Sequence, residues 1–117
     1  MTRNLRAAGV PCIDRTLTGW YGGELSMQSL VGRLQEGLRE YPSAENFEVM
    51  CHPGFSDDNL PSLSRYVRER EVELAVLCDA NFQRELVVAG FSLTPIPFAP
   101  KANRLASAAS FSRQAVV

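Results

Sequence analysis

Apolar residues recur along the chain with two periods, one typical of helices and one typical of strands. The strongest helical pattern covers residues 26–41, where Ser26 is a suitable N-cap and Pro42 ends the helix. Its apolar side chains, three and four residues apart, form one stripe: Met27, Leu30, Val31, Leu34, Leu38 and Tyr41. The same spacing predicts a helix over residues 60–77. Asp79 is a suitable cap and Gly90 a suitable end for a shorter helix over residues 80–89, and Gly9 is placed to close the last turn of an earlier helix.

Short apolar runs between these helices predict three strands, over residues 10–14, 47–51 and 91–96. Strands connected by helices pair in parallel, so the pattern indicates an α/β fold with parallel strands and helical crossovers. Alanine, serine and single basic residues dominate beyond residue 97, and residues 98–117 are therefore expected to form a disordered tail.

Length and charge narrow the classes of function. The chain has 117 residues, of which 45% are hydrophobic, enough for one domain with a modest core. Its 12 basic and 13 acidic side chains give a net charge of −1, which argues against a nucleic-acid partner and against a polybasic membrane surface. No apolar run approaches the roughly 20 residues that span a bilayer, and the N-terminus lacks the apolar segment of a signal peptide. A cytoplasmic location is the expectation.

The three cysteines are far apart and show no Cys-x-x-Cys spacing. They are expected to be reduced thiols. A zinc site would need all three to converge on the single histidine, and nothing in the spacing favours that.

His52 is the main candidate for a catalytic residue. It is the only histidine, and it ends the apolar run that begins at Phe47, just before Pro53 and Gly54 stop the strand. Catalytic side chains of α/β proteins often lie where a strand ends, because the sheet fixes that point and the loop leaves it accessible. The alternative is a capping or core histidine.

A second candidate region is the glycine-punctuated loop over residues 18–23, which carries Trp20 and Tyr21. Two large aromatics on a loop suit either a hydrophobic lid or a platform on which a sugar ring stacks. Asp14, at the predicted exit of the first strand, is a candidate site residue, although a loop or N-cap aspartate needs no function.

Arg70 falls on the predicted apolar stripe of the helix over residues 60–77. A buried guanidinium needs a carboxylate or carbonyl partner, with Asp14 one possibility, unless it reaches past the stripe to solvent. Asp57, Asp58 and Asn59 precede this helix and are interpreted as a cap, with a metal site as the alternative.

Several of these residues occur in motifs that resemble the C-terminal segment of the YdjC-like carbohydrate deacetylases. The resemblance covers about residues 4–97 and is carried by segments that occur in the family's order: Ala8 to Asp14, Gly19-Trp20-Tyr21-Gly22, Glu48 to Phe55 with its His52-Pro53-Gly54, and Tyr66 followed by Arg70-Glu71-Val72-Glu73-Leu74. The resemblance implies an irregular (β/α) barrel whose members remove N-acetyl groups from amino sugars with a divalent metal, magnesium or zinc.

The resemblance also implies roles for individual residues. His52 would be the general acid that protonates the leaving amine, a task that suits a histidine near neutral pH. The residues expected near the sugar are Trp20, Tyr21, Pro53 and Gly54, and those expected to support the site are Asp14, Arg70 and Glu71.

The chain departs from the family at the metal site. Family members hold the metal with an aspartate near the N-terminus and with histidines from two further motifs, whereas this chain has one histidine. Residues 1–97 are therefore expected to be the C-terminal segment of such a domain, without a cofactor of their own and inactive alone. The alternatives are a non-catalytic sugar-binding or interaction domain and a truncated reading frame that folds poorly. Unpaired strand edges would favour self-association.

Overall fold

The computed structural model describes residues 2–95 and 113–116. Helices and strands follow one another in this part of the chain as α1 (Thr2–Ala7), β1 (Arg15–Leu17), α2 (Met27–Glu40), β2 (Asn46–Val49), α3 (Leu60–Leu63), α4 (Arg68–Leu77), α5 (Phe82–Val88), β3 (Phe91–Leu93) and β4 (Arg113–Val116). The predicted α/β class is confirmed.

The four strands form one sheet in the order β1-β2-β4-β3, and every neighbouring pair is parallel. Helix α2 connects β1 to β2, while α3, α4 and α5 connect β2 to β3. This confirms the parallel sheet with helical connections. The described strands end at β1 on one side of the sheet and at β3 on the other, so closure into a (β/α) barrel and self-association through these edges stay predictions.

The core lies between α2, α5 and the sheet. Leu30 and Leu34 on α2 are fully buried, as is Leu86 on α5. On the sheet, the rings of Phe47 and Phe91 meet edge to face with centroids 6.4 Å apart. The predicted α2 stripe therefore faces the core.

Ser26 is the N-cap of helix α2, as predicted, and it forms a capping box with Ser29. The Ser26 hydroxyl accepts a hydrogen bond from the Ser29 N–H at 3.0 Å, and the Ser29 hydroxyl oxygen accepts one from the Ser26 N–H at 2.9 Å. Gly9 and Gly90 follow α1 and α5 with positive φ, as predicted for residues that close helices.

Two predicted elements differ from the structure by more than a few residues. The first strand was predicted over residues 10–14, but β1 begins at Arg15, after the carboxylate of Asp14 has bonded to the chain before β2. The helix predicted over residues 60–77 is two helices, because Ser64 adopts an extended conformation. The Ser64 hydroxyl then accepts a hydrogen bond from the Tyr66 N–H at 3.1 Å, forming a local turn that competes with the helix.

The prediction of a disordered tail over residues 98–117 is wrong for residues 113–116, which form β4 between β2 and β3. Ala115 is fully buried in this central strand. A strand with neighbours on both sides has its main-chain groups paired by the sheet, so it requires less from its own sequence than an isolated strand does. The remainder of the predicted tail lies outside the described residues.

Candidate functional site

The loop after β2 leaves the sheet at the carboxyl end of the strands. The Met50 N–H donates to the Leu17 carbonyl at 2.9 Å, which extends the pairing of β1 and β2 by one hydrogen bond. His52 follows two residues later, and its main-chain N–H donates to Glu73 Oε2 on α4 at 2.5 Å. The Gly54 N–H donates to the Arg70 carbonyl at 3.1 Å. The loop is therefore held against one edge of α4.

Two further bonds fix the end of this loop to α4 and to the residue before it. The Ser56 N–H donates to Glu71 Oε1 at 3.1 Å, and the Ser56 hydroxyl donates to the Val67 carbonyl at 3.1 Å. Glu71 thus holds the end of this loop, and its role in supporting a site stays a prediction. Pro53 is exposed on the same loop.

The imidazole of His52 lies against two tyrosine rings. Its centroid is 4.7 Å from that of Tyr21 and 6.0 Å from that of Tyr66, with interplanar angles of 79° and 72°. The two tyrosine rings are themselves 6.4 Å apart and nearly perpendicular. Such edge-to-face arrangements restrict how each ring can turn. His52 Nδ1 is buried and has no hydrogen-bond partner among the described residues.

The aromatic loop over residues 18–23 sends its two large side chains in different directions. Gly19 and Gly22 take positive φ values of 90° and 83°, which lets the chain bend on both sides of the aromatic pair. Tyr21 reaches His52, but Trp20 is 2% exposed in the core and donates from Nε1 to the Ser29 hydroxyl at 3.0 Å. The expectation that Trp20 is a lid or a stacking surface is therefore corrected, since its ring faces are covered by core residues.

Glu73 is the central polar residue behind this site. It is fully buried, and its second oxygen, Oε1, accepts a hydrogen bond from the Tyr66 hydroxyl at 2.5 Å. Burial of the phenol, followed by this hydrogen bond, raises the pKa of Tyr66 to about 12. Burial also raises the pKa of the Cys51 thiol, and the nearby charge of Glu73 adds to the effect. The raised pKa favours the neutral thiol of Cys51 over the thiolate.

The guanidinium of Arg70 has a main-chain carbonyl as its hydrogen-bond partner. Its Nε donates to the Tyr66 carbonyl at 2.8 Å, and the centre of its guanidinium lies 6.0 Å from the Tyr66 ring centroid. The prediction of a carbonyl or carboxylate partner is confirmed, whereas pairing with Asp14 is wrong.

Asp14 lies at the opposite end of the sheet, where β1 and β2 begin. Its carboxylate accepts from the N–H groups of Glu45 and Asn46 at 2.9 and 3.2 Å and forms an ion pair with Arg6 at 2.7 Å. The structure does not bring Asp14 together with His52, which follows the carboxyl end of β2. Asp14 instead joins the starts of two strands.

The acidic residues before α3 cap the chain rather than form a cluster. Asp57 Oδ1 accepts hydrogen bonds from the N–H groups of Asn59 and Leu60 at 3.0 and 2.8 Å, which confirms the interpretation as a cap. Over residues 2–95 and 113–116 there is no group of three or more His, Cys, Asp and Glu side chains placed to hold a metal ion.

Sequence reasoning did not select two residues that contact His52, Tyr66 through its ring and Glu73 through its carboxylate. Both occur in the motif segments, but neither was predicted to be a site residue, and the predicted apolar stripe of this helix runs through Arg70 instead. The spacing did contain a signal, because Tyr66, Arg70, Glu73 and Leu77 follow one another at intervals of four, three and four. Since a helix breaks before residue 68, the phase of α4 could not be carried over from residue 60.

The fold and the site define an α/β protein with a histidine-centred candidate site where a parallel strand ends. Residues 1–87 match the model of the YdjC-like protein family. The chain belongs to this family, as its motifs indicated.

Curated relatives carry names that agree with this assignment. The chain is 34% identical over 94 residues to a carbohydrate deacetylase of Geobacillus stearothermophilus, a match that covers 78% of this chain and 36% of the relative. It is 34% identical over 95 residues to a carbohydrate deacetylase of Vibrio campbellii, covering 77% and 37%. It is also 34% identical over 88 residues to a chitooligosaccharide deacetylase of Serratia marcescens, covering 74% and 34%. The chain thus matches little more than a third of the length of these relatives.

No solved structure matches the chain. None of the helices in the described part of the chain is long and apolar enough to cross a bilayer.

Proposed function

We propose that this chain forms the His52 part of a carbohydrate deacetylase, an enzyme that hydrolyses the N-acetyl group of an amino sugar. Membership of the YdjC-like family and the names of the relatives support the substrate class. The observation that carries the proposal is the position of His52, which follows a central parallel strand and packs edge to face against both Tyr21 and Tyr66.

In this reaction water adds to the carbonyl carbon of the acetyl group, the bond between that carbon and the amide nitrogen breaks, and acetate and a free amine are released. The amine nitrogen must gain a proton as the bond breaks, because an amide anion is a very poor leaving group. A histidine can donate that proton near neutral pH. Since Nδ1 of His52 is buried, we assign the transfer to Nε2. Tyr21, Pro53 and Gly54 lie beside this ring or in its loop and would form the adjoining sugar contacts.

The family resemblance implies a divalent metal that polarises the acetyl group and activates water. The donor set of the described residues does not fit such an ion, because acidic, histidine and cysteine side chains do not converge there and His52 packs against two phenol rings. The role of His52 is therefore derived without a metal. We propose that the chain alone does not turn over substrate.

Acetate release from di-N-acetylchitobiose, with zinc or magnesium added, tests the last statement. The chain and its His52→Ala variant should both release no acetate above the buffer rate. If the wild-type chain releases acetate and the His52→Ala variant does not, these residues suffice for catalysis. That result would overturn the proposal that the chain is inactive alone.

Calorimetric titration tests the substrate class. The chain should bind di-N-acetylchitobiose in preference to cellobiose, which has no acetamido group, and Tyr21→Ala should weaken that binding. The lack of a metal-binding donor set among the described residues favours one second candidate, a sugar-binding domain without chemistry. Equal affinity for the two sugars would support that domain, and binding of neither would contradict both proposals.

A further inference from the structure

Glu73 is an unusual residue for a small core. Its side chain is fully buried, yet none of the ion pairs found within residues 2–95 and 113–116 includes it. A buried carboxylate is costly unless donors satisfy both oxygens, and an apolar side chain of similar size would fill the same space at lower cost. The role of the buried carboxylate therefore depends on the groups to which it is hydrogen-bonded.

Both of those contacts lead to His52. Oε2 accepts the His52 main-chain N–H, and Oε1 accepts the hydroxyl of Tyr66, whose ring meets the His52 imidazole. One carboxylate thus fixes the backbone at His52 and also one of the two rings beside its side chain. The other ring belongs to Tyr21, and the neighbouring Gly22 N–H donates to the same Tyr66 hydroxyl at 3.4 Å.

In the described part of the chain, no hydrogen bond to Nδ1 orients the His52 imidazole. Catalytic and metal-binding histidines are commonly oriented by an acceptor on the nitrogen that does not react. In this site Nδ1 is buried without such a partner in the described part of the chain. The orientation of the ring must then be set by the His52 main chain and by the rings that pack against the imidazole. Glu73 bonds to the main chain directly and to one of these rings, Tyr66, through its hydroxyl.

We propose that Glu73 is a positioning residue that sets the orientation of the His52 imidazole through the His52 main chain and through Tyr66. The catalytic purpose of that orientation rests on the proposed function, whereas the orientation itself does not. Glu73 touches no substrate in this account. Its carboxylate does not bond to the imidazole. It orients the imidazole indirectly, by bonding to the His52 main-chain N–H and to the Tyr66 hydroxyl.

Nuclear magnetic resonance can test this directly, because His52 is the only histidine and gives one set of imidazole signals. In Glu73→Gln the amide cannot accept both donors as the carboxylate does, since one of its two polar atoms is a donor. We expect hydrogen exchange of the His52 amide to accelerate by roughly tenfold or more. Nuclear Overhauser contacts between the imidazole and the Tyr66 ring should weaken.

Glu71→Gln is the matched control, because Glu71 lies on the same helix and also accepts a main-chain N–H, that of Ser56. Because the glutamine oxygen can still accept this single donor, Glu71→Gln should leave exchange at both Ser56 and His52 close to wild type. Tyr66→Phe removes only the hydroxyl and should weaken the contacts between its ring and the imidazole while the His52 amide stays protected.

A folded Glu73→Gln variant with wild-type exchange at His52 and wild-type ring contacts would overturn the proposal. If Glu73→Gln does not fold, Tyr66→Phe decides the matter, and unchanged ring contacts in that variant would overturn it too. These signals need no substrate. A chain that fails to bind amino sugars but shows the expected changes would contradict the proposed function and leave the positioning role of Glu73 supported.

Discussion

At the scale of single residues, the site depends on one phenol that stays neutral. Burial and the hydrogen bond to Glu73 raise the pKa of Tyr66 to about 12, from an ordinary value of 10.0. A raised pKa means that the folded chain favours the protonated hydroxyl. Its contribution to stability is therefore complete below about pH 10 and is lost as the pH rises towards 12.

The tyrosinate absorbance of the chain, compared with that of Tyr66→Phe, measures this titration. The difference between the two curves should have its midpoint at about 12, the pKa of Tyr66. Glu73→Gln should lower the pKa of Tyr66, because it removes the charge and the hydrogen bond that oppose ionisation, and the remaining burial should keep the pKa above 10. A midpoint near the ordinary value in the wild-type chain would contradict the contact between Tyr66 and Glu73.

Residue types and motif order were enough to select His52, Tyr21 and Arg70, which do lie together. They were not enough for Trp20 or Asp14, because a loop aromatic and a strand-end aspartate look the same in sequence whether they face the core, solvent or a ligand. Trp20 is distinguished by the hydroxyl of Ser29, which satisfies its N–H inside the core. That contact depends on how the loop meets α2.

At the scale of elements, two glycines of α2 differ in how closely their surroundings approach the helix. A Cβ built on Gly37 would lie 2.7 and 2.9 Å from the two terminal carbons of Leu17, a side chain that is itself buried. A Cβ on Gly32 would meet nothing within 4 Å. The helix therefore approaches the strand closely at one glycine and not at the other.

Substituting each glycine by alanine should change stability in opposite directions. Gly32→Ala should raise the free energy of unfolding by about 0.5–1 kcal/mol, because alanine loses less entropy in a helix. Gly37→Ala has the same benefit, but overpacking against Leu17 costs about 1–3 kcal/mol, so a net loss is expected. Denaturant unfolding of both variants checks this, and equal stabilisation by the two would refute the close approach at Gly37.

The element with the longest periodicity, α2, was predicted closely, and β2, α5 and β3 lie within a few residues of their predicted bounds, whereas the first strand and the break before α4 were not predicted. The stripe and the capping box of α2 determine its position because many residues agree. The break between α3 and α4 depends on a few local bonds at Ser64, which compete with a helical pattern that looks continuous in sequence. Because of this break, the buried face of α4 differs from the one predicted for a single helix over residues 60–77, and Glu73 was not predicted to be buried.

At the scale of the whole molecule, β4 joins the two halves of the sheet. It pairs with β2 on one side and with β3 on the other, so β3 reaches the rest of the sheet through β4. The sequence of β4, Arg-Gln-Ala-Val, has neither an apolar run nor strict alternation, which is why a strand was not predicted there. Its place between two strands is a property of the assembled sheet.

A buried charge in β4 tests this arrangement. Ala115 is fully buried, so Ala115→Asp should lower the free energy of unfolding by about 3 kcal/mol or more, because the carboxylate has no partner inside the sheet. Val88→Asp is the matched control, since Val88 is 78% exposed on α5 and should change stability by no more than about 0.5 kcal/mol. Similar, small effects of both variants would indicate that residues 113–116 are not part of the folded sheet.

The measurement that tests the central claim most directly is a titration of the single His52 imidazole signal with di-N-acetylchitobiose, followed by nuclear magnetic resonance. The account predicts a saturable shift of the His52 and Tyr21 ring signals, with no comparable shift for cellobiose and no change at the core residue Trp20. Binding of di-N-acetylchitobiose that leaves the His52 and Tyr21 signals unmoved would place the sugar elsewhere and contradict the account.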